Sequence, residues 1–181
     1  MGEPARYRPH YTLEDYQQWP GDWELWSGTA VAISPSPQKE HQRLSKRIVA
    51  ILDQALTEAD CSQCEALQEV DWRVSSDTVY RPDVSVVCSD PGADYILRPP
   101  QLICEILSES TREKDLHFKR SVYENLGVRY YLIVDPDNSG LVLLELIDGN
   151  YHEISGDESR ELILSDDCCV RPRFESIFGA R

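Results

Sequence analysis

The sequence predicts an α/β fold: a central mixed β-sheet flanked by one helix before its acidic strands and one after, with extra β-hairpins. Three observations carry this. The runs beginning Arg81-Pro82-Asp83-Val84-Ser85-Val86-Val87 and Gln101-Leu102-Ile103-Cys104-Glu105-Ile106-Leu107-Ser108 are apolar, β-branched and of strand length, each with one acid. Upstream, Leu44, Ile48, Ile51, Leu52, Ala55 and Leu56 form one amphipathic helical stripe. A second helical pattern lies between the Glu105 strand and another strand at Arg129 to Asp135.

Taken in order, Thr12-Leu13-Glu14-Asp15 reads as a capped short helix ending before Pro20. Trp23 to Ser27 alternates, and Ser27-Gly28 turns it into Thr29 to Ile33, a hairpin. The loop Ser34-Pro35-Ser36-Pro37 stops that strand and launches the first long helix. Glu69 to Val74 reads as one half-buried strand, turned by Ser75-Ser76-Asp77 toward Val79. In Ser110-Thr111-Arg112-Glu113, Ser110 is placed to be the N-cap of a capping box with Glu113, opening a helix to about Leu126 that Gly127 ends. Asp148-Gly149-Asn150 joins Leu141 to Leu146 and Tyr151 to Ile154 as a hairpin, and Glu161 to Leu164 and Cys168 to Val170 are short final strands.

A chain of 181 residues with 41% hydrophobic residues is long enough to bury a core as one domain and too apolar to be disordered. No run approaches the roughly 18 apolar residues of a membrane span. The start Met1-Gly2-Glu3-Pro4-Ala5-Arg6 lacks the apolar stretch of a signal peptide, so a cytoplasmic setting is expected. Accordingly the six cysteines are expected as reduced, structural thiols. Cys61-Ser62-Gln63-Cys64 is a lone C-x-x-C without a second ligand pair for zinc, and Cys88 and Cys104 fall in or beside strands.

The net charge of −14 works against phosphate binding, but its distribution is uneven. Acids dominate from Asp135 to Asp167, whereas Lys39, Arg43, Lys46 and Arg47 cluster on the first long helix and Arg112, Lys114, Lys119 and Arg120 on the second. Those clusters read equally as solvated helix faces or as faces turned toward a nucleic acid.

The chemistry centres on the two strand acids. A carboxylate among isoleucine and leucine is costly unless a positive charge compensates it. Two of them on neighbouring strands repel unless a cation lies between, and Mg²⁺ takes such carboxylates with water and phosphate. On the following helix Asp115, Lys119, Val122, Tyr123 and Leu126 share one face, so Lys119 is aimed at the acids. The alternative is structural: Asp83 as a turn residue after proline and Glu105 as the partner of a buried arginine such as Arg129.

Pro82-Asp83, Glu105-x-x-Ser108, Asp115-x-x-x-Lys119-x-x-x-Tyr123, Gly127-Val128 and Tyr130-Tyr131-Leu132-Ile133-Val134-Asp135-Pro136 resemble the Uma-type restriction endonuclease family of the PD-(D/E)XK nuclease superfamily, from about Thr12 to Phe178. The resemblance implies a restriction-endonuclease-like core, a single nuclease-like domain over residues 1–181, and metal-assisted hydrolysis of phosphodiester bonds in DNA by a homodimer. It assigns Asp83, Glu105 and the main-chain carbonyl of Ile106 to Mg²⁺ or Mn²⁺. The superfamily lysine would stand at Leu107; here Lys119 takes that part. Glu24 is an additional acid of the site, unless it faces solvent between Trp23 and Trp26, and His41 falls at a family position where it could equally pack or cap. Ser108 and Asp115 are expected to hold Glu105 and Lys119 in place, and Tyr123 to be core. A different class stays open: an inactive nuclease-like scaffold that binds a protein or nucleic acid.

Overall fold

The strands carrying the two acids lie inside a six-stranded mixed sheet. The computed structural model describes residues 9–33, 39–92, 94–154 and 161–178. In chain order its elements are α1 (Leu13–Tyr16), β1 (Trp23–Trp26), β2 (Thr29–Ala32), α2 (Lys39–Glu58), β3 (Cys64–Gln68), β4 (Trp72–Ser75), β5 (Thr78–Tyr80), β6 (Val84–Cys88) and β7 (Leu102–Ile106). A π-helical segment, Lys114–Lys119, runs into α3 (Arg120–Asn125), followed by β8 (Tyr130–Asp135), β9 (Gly140–Ile147), β10 (Asn150–Glu153), β11 (Leu162–Ser165) and β12 (Cys168–Val170). The main sheet has the order β10-β9-β8-β7-β6-β3, with β7 and β8 parallel and the other pairs antiparallel. The parallel step is the one bridged by the π-helical segment and α3, as a parallel crossover requires.

Because side chains alternate along a strand, each central strand serves both faces. Val84, Val86, Leu102, Cys104 and Ile106 point to one side, where Leu44, Ile48 and Leu52 of α2 cover them. Val87, Ile103, Tyr131 and Ile133 point to the other side, toward Trp72, Tyr80 and Tyr123. A second sheet, β2-β1-β5-β4, stands beside that second face. Arg81 ties it in: Nε donates to Asp71 Oδ1 and Nη1 to Asp22 Oδ1, both at 2.7 Å, fixing the link that delivers Asp83.

Local signals explain most boundaries. Thr12 and Asp15 form the anticipated capping box on α1. Ser27-Gly28 and Asp148-Gly149 all have positive φ, as two-residue hairpin turns matched to strand twist demand. The Ser34–Pro37 loop lies outside the described residues.

Four points need correction or addition. Glu69 has φ of +54°, which breaks the run read as one strand, so pairing resumes only at Trp72. No strand is expected from the sequence at Cys64–Gln68, where β3 pairs antiparallel with β6 at the sheet edge. The second helix does not start on a Ser110–Glu113 box: the Arg112 N–H donates to Ser108 O, Thr111 Oγ1 accepts from Ser108 N–H, and Glu113 reaches outward to His117. Its middle is π-helical, a form that short sequence periods do not distinguish from α.

The fourth correction concerns the thiols. Cys61 is bonded to Cys168, and Cys64 to Cys88, while Cys104 and Cys169 are free. Cys64 stands directly opposite Cys88 in the β3–β6 register, whereas Cys61, in the turn after α2, meets the first residue of β12. The two halves of the C-x-x-C thus face different partners, 24 and 107 residues away, which spacing alone does not reveal. Disulfides persist in oxidising surroundings, so the thiols no longer argue for a cytoplasmic setting. No helix among the described residues is long and apolar enough to cross a membrane.

Candidate active site

The register of the central strands brings Asp83 and Glu105 together. Val84 pairs with Cys104, so Asp83, one residue earlier, reaches the level of Glu105; Glu105 projects to the side opposite α2, while Asp83, just before β6 begins, lies within reach of His41 at the start of α2. The Ile106 N–H donates to Asp83 Oδ2 at 2.7 Å, locking the end of one strand to the other. Glu105 is 2% exposed, and in the parallel ladder it lies beside Ile133.

The charge that compensates it comes from the π-helical segment. Lys119 Nζ lies 2.9 Å from Glu105 Oε1, 3.3 Å from Glu24 Oε1 and 3.9 Å from Asp115 Oδ1. Asp115 and Lys119 are both buried while Phe118 stays outside. Tyr123, one α-helical turn further on, donates its hydroxyl to Glu105 Oε1 at 2.7 Å. It belongs to the core as expected, yet it also contacts the acid directly.

Glu24 is buried, not solvent-facing. On β1 it points away from Leu25, accepting from the Arg81 N–H at 2.8 Å and from Trp26 Nε1 at 3.1 Å. His41, in the first turns of α2, places Nε2 3.1 Å from Asp83 Oδ2, while its Nδ1 is buried without a partner. Ser108 does not hold Glu105 or Lys119: its hydroxyl pairs with Ser110 and Thr111 because the loop closes on itself there. Arg129 pairs with Glu145, so the alternative Glu105–Arg129 bridge is not made. Of the basic clusters, Arg43 is tied to Glu40, Arg47 to the Ile177 carbonyl, and Arg112 to Asp135 and Asp137.

Electrostatically this is one unit. Desolvation pushes the Glu105 carboxyl well above the usual range, and the charges of Asp83, Asp115 and Glu24 add to the push against Lys119. Desolvation likewise raises Asp115 to about 6, against the opposing pull of Lys119 and a Thr111 hydrogen bond. Burial disfavours the Lys119 ammonium, but Glu105, Glu24, Asp115 and Asp83 outweigh it and hold its pKa well above normal. For His41, burial also works against the charged form, and the hydrogen bond and charge of Asp83, with Glu69 and Asp115, prevail and raise its pKa.

The donor set fits a hard divalent cation: Asp83, Glu105, Glu24 and Asp115 offer oxygen ligands only, and they outnumber the basic side chains Lys119 and His41. Among the described residues no three acids, histidines or cysteines already stand in ligating positions, because the Lys119 ammonium sits between Glu24 and Glu105. Sequence reasoning placed Asp83, Glu105, Lys119 and Glu24 as candidates, and the fold gathers them. The direct contacts of Tyr123 with Glu105 and of His41 with Asp83 were not anticipated, although their helical spacings from Lys119 and Leu44 put them on the inward faces.

A six-stranded mixed sheet with one parallel step, helices on both sides and a second small sheet beside it is a restriction-endonuclease-like fold. A crystal structure described as a putative nuclease belonging to DUF820 from Anabaena variabilis ATCC 29413 shares this fold, with a TM-score of 0.72 at 16% identity over 93% of this chain and 97% of that one. Residues 13–169 match the model of the Uma2 family, described as putative restriction endonuclease, and the chain belongs to that family. None of the curated proteins matches it.

Proposed function

We propose that the chain is a metal-dependent endonuclease hydrolysing phosphodiester bonds in DNA, with residues 1–181 acting as a single nuclease-like domain. The observation that carries this reading is the Lys119 ammonium buried among Glu105, Glu24 and Asp115 beside Asp83. Structure alone has little use for such a group, since buried ions cost several kcal/mol each to desolvate and apolar side chains pack as well. Asp83, Glu105 and the Ile106 carbonyl would hold Mg²⁺ or Mn²⁺, with Glu24 lining the site. When bound, such an ion supplies a Lewis acid for the phosphate and lowers the pKa of the attacking water. Lys119 would face the charge that develops on the phosphoryl oxygens, Asp115 steadies its ammonium, Tyr123 orients Glu105, and His41 with the Ile106 N–H fixes Asp83. A homodimer would provide the two sites that cutting both strands of a duplex takes.

Supercoiled plasmid incubated with the protein and Mg²⁺ or Mn²⁺ should be nicked, and EDTA should abolish the nicking. Asp83→Ala and Glu105→Ala should each be inactive while melting cooperatively. Equal nicking by wild type and both variants would remove the enzyme reading. One observation favours the inactive-scaffold alternative: Lys119 already neutralises part of the cluster without a metal, and three acids are not yet in ligating positions among the described residues.

A further inference from the structure

We propose that Phe118, stacked on Trp26 at the rim of the acidic cluster, is the outer face of a platform that takes one unpaired nucleobase of the substrate, with Lys114 beside it for the adjoining phosphate. The proposal rests on the nuclease reading and deepens it by naming the substrate as locally single-stranded nucleic acid. Phe118 immediately precedes Lys119 on the π-helical segment, yet it is 42% exposed where Lys119 is 7% exposed. Its ring lies 4.4 Å from that of Trp26 at an interplanar angle of 18°, a parallel stack. Trp26 in turn donates Nε1 to Glu24 Oε2, so the stack is joined to the carboxylates by one hydrogen bond. The other large hydrophobic side chains exposed among the described residues, Leu97, Ile147 and Ile163, are aliphatic; the aromatic one stands at the site.

Charge points the same way. Arg112 is committed to Asp135 and Asp137, and Lys119 is buried among acids. Lys114 instead hangs over the aromatic pair, its Nζ 5.8 Å from the Trp26 ring centroid. In a chain of net charge −14, a rim lysine beside an exposed aromatic face matches a base with its phosphate. Any base stacks on an aromatic ring, but only one that is out of its duplex presents the face to do so.

The test uses the full chain, Ca²⁺ in place of Mg²⁺, and one oligodeoxynucleotide carrying a single 2-aminopurine, offered single-stranded and as a duplex. Wild type should bind the single strand more tightly than the duplex and quench the 2-aminopurine. Phe118→Ala should weaken single-strand binding by about tenfold or more, the loss of one stack, with no change in melting temperature beyond a few degrees. Phe118→Trp should restore both affinity and quenching, and Lys114→Ala should weaken binding by a few-fold and lower its salt dependence. Unchanged affinity and quenching in Phe118→Ala, with plasmid nicking intact, overturns the platform and leaves the nuclease reading standing. Tighter binding of duplex than of single strand also overturns the platform. No binding of either form, together with no nicking, overturns both.

Discussion

The two faces of the six-stranded sheet are made by the same strands and both bury apolar side chains, but one of them also buries a cluster of charges. Toward α2, β6 and β7 present Val84, Val86, Leu102 and Ile106 to Leu44, Ile48 and Leu52, with an ordinary α-helix and two disulfides around them. Toward the π-helical segment, alternate positions of those strands present Glu105, with Asp83 at the strand mouth, to Lys119, Asp115 and Tyr123. The first face stabilises by apolar burial; the second has an apolar core too, with Val87, Ile103, Tyr131 and Ile133, but keeps ionic groups out of water within it at a cost that this burial must offset. The difference teaches that a one-residue alternation separates the part of each strand that holds the protein together from the part proposed to act.

The sharpest way to break the comparison is at Lys119. Lys119→Ala should lower the cleavage rate by about 10²- to 10³-fold, the scale of losing one transition-state charge partner. Leu52→Ala, on the α2 face, should cost about 2–5 kcal/mol of stability and leave turnover within a few-fold at temperatures where the variant is folded. Chemical denaturation and a plasmid assay on both variants read the two effects; a Leu52 variant that lost activity while stable would erase the distinction between faces.

The disulfides sharpen it next. Replacing Cys61 and Cys168 together by alanine should reduce stability by about 2–4 kcal/mol, since the bond closes a long loop, without altering the cleavage rate per folded molecule.

A smaller effect is expected in the pH dependence of the second face. Burial raises the carboxyls of Asp115, to about 6, and of Glu105, so folding takes up protons there. The contribution of Asp115 to the stability of the metal-free protein should therefore be lost as pH rises from the unfolded Asp value of 3.8 through about 6, so the difference in stability between wild type and Asp115→Asn should change over that range. Denaturation midpoints at several pH values check it. Least affected should be Lys114→Ala, with plasmid turnover at saturating DNA within a few-fold of wild type, because Lys114 lies over Trp26, where it acts on binding, and not among the acids.

How much of this was legible beforehand follows the same division. β6 and β7 were plain because a buried strand writes itself as an apolar run, and an acid inside such a run, as at Glu105, is conspicuous by its cost. Lys119 is legible from its helical face, because positions 115 and 119 stay on one side whether the segment is α- or π-helical. Glu24 was ambiguous because β1 alternates polar and apolar residues in either case, and its burial depends on the Arg81 backbone arriving from a distant strand. The disulfides were misread because pairing is a property of three-dimensional register, as Cys64 opposite Cys88 illustrates. Ser108 was credited with a distant contact, but short hydroxyl side chains bond their own turn first.

The central claim is that the surplus of carboxylate on the Lys119 face exists to hold a divalent ion. Calorimetric titration of Mn²⁺ into the metal-free chain tests it without depending on a DNA sequence. The account expects saturable binding to wild type, weakened at least tenfold by Asp83→Asn and by Glu105→Gln and retained in Lys119→Met. No uptake of Mn²⁺, or uptake indifferent to both acid substitutions, would contradict it and leave the cluster as a self-neutralised structural element.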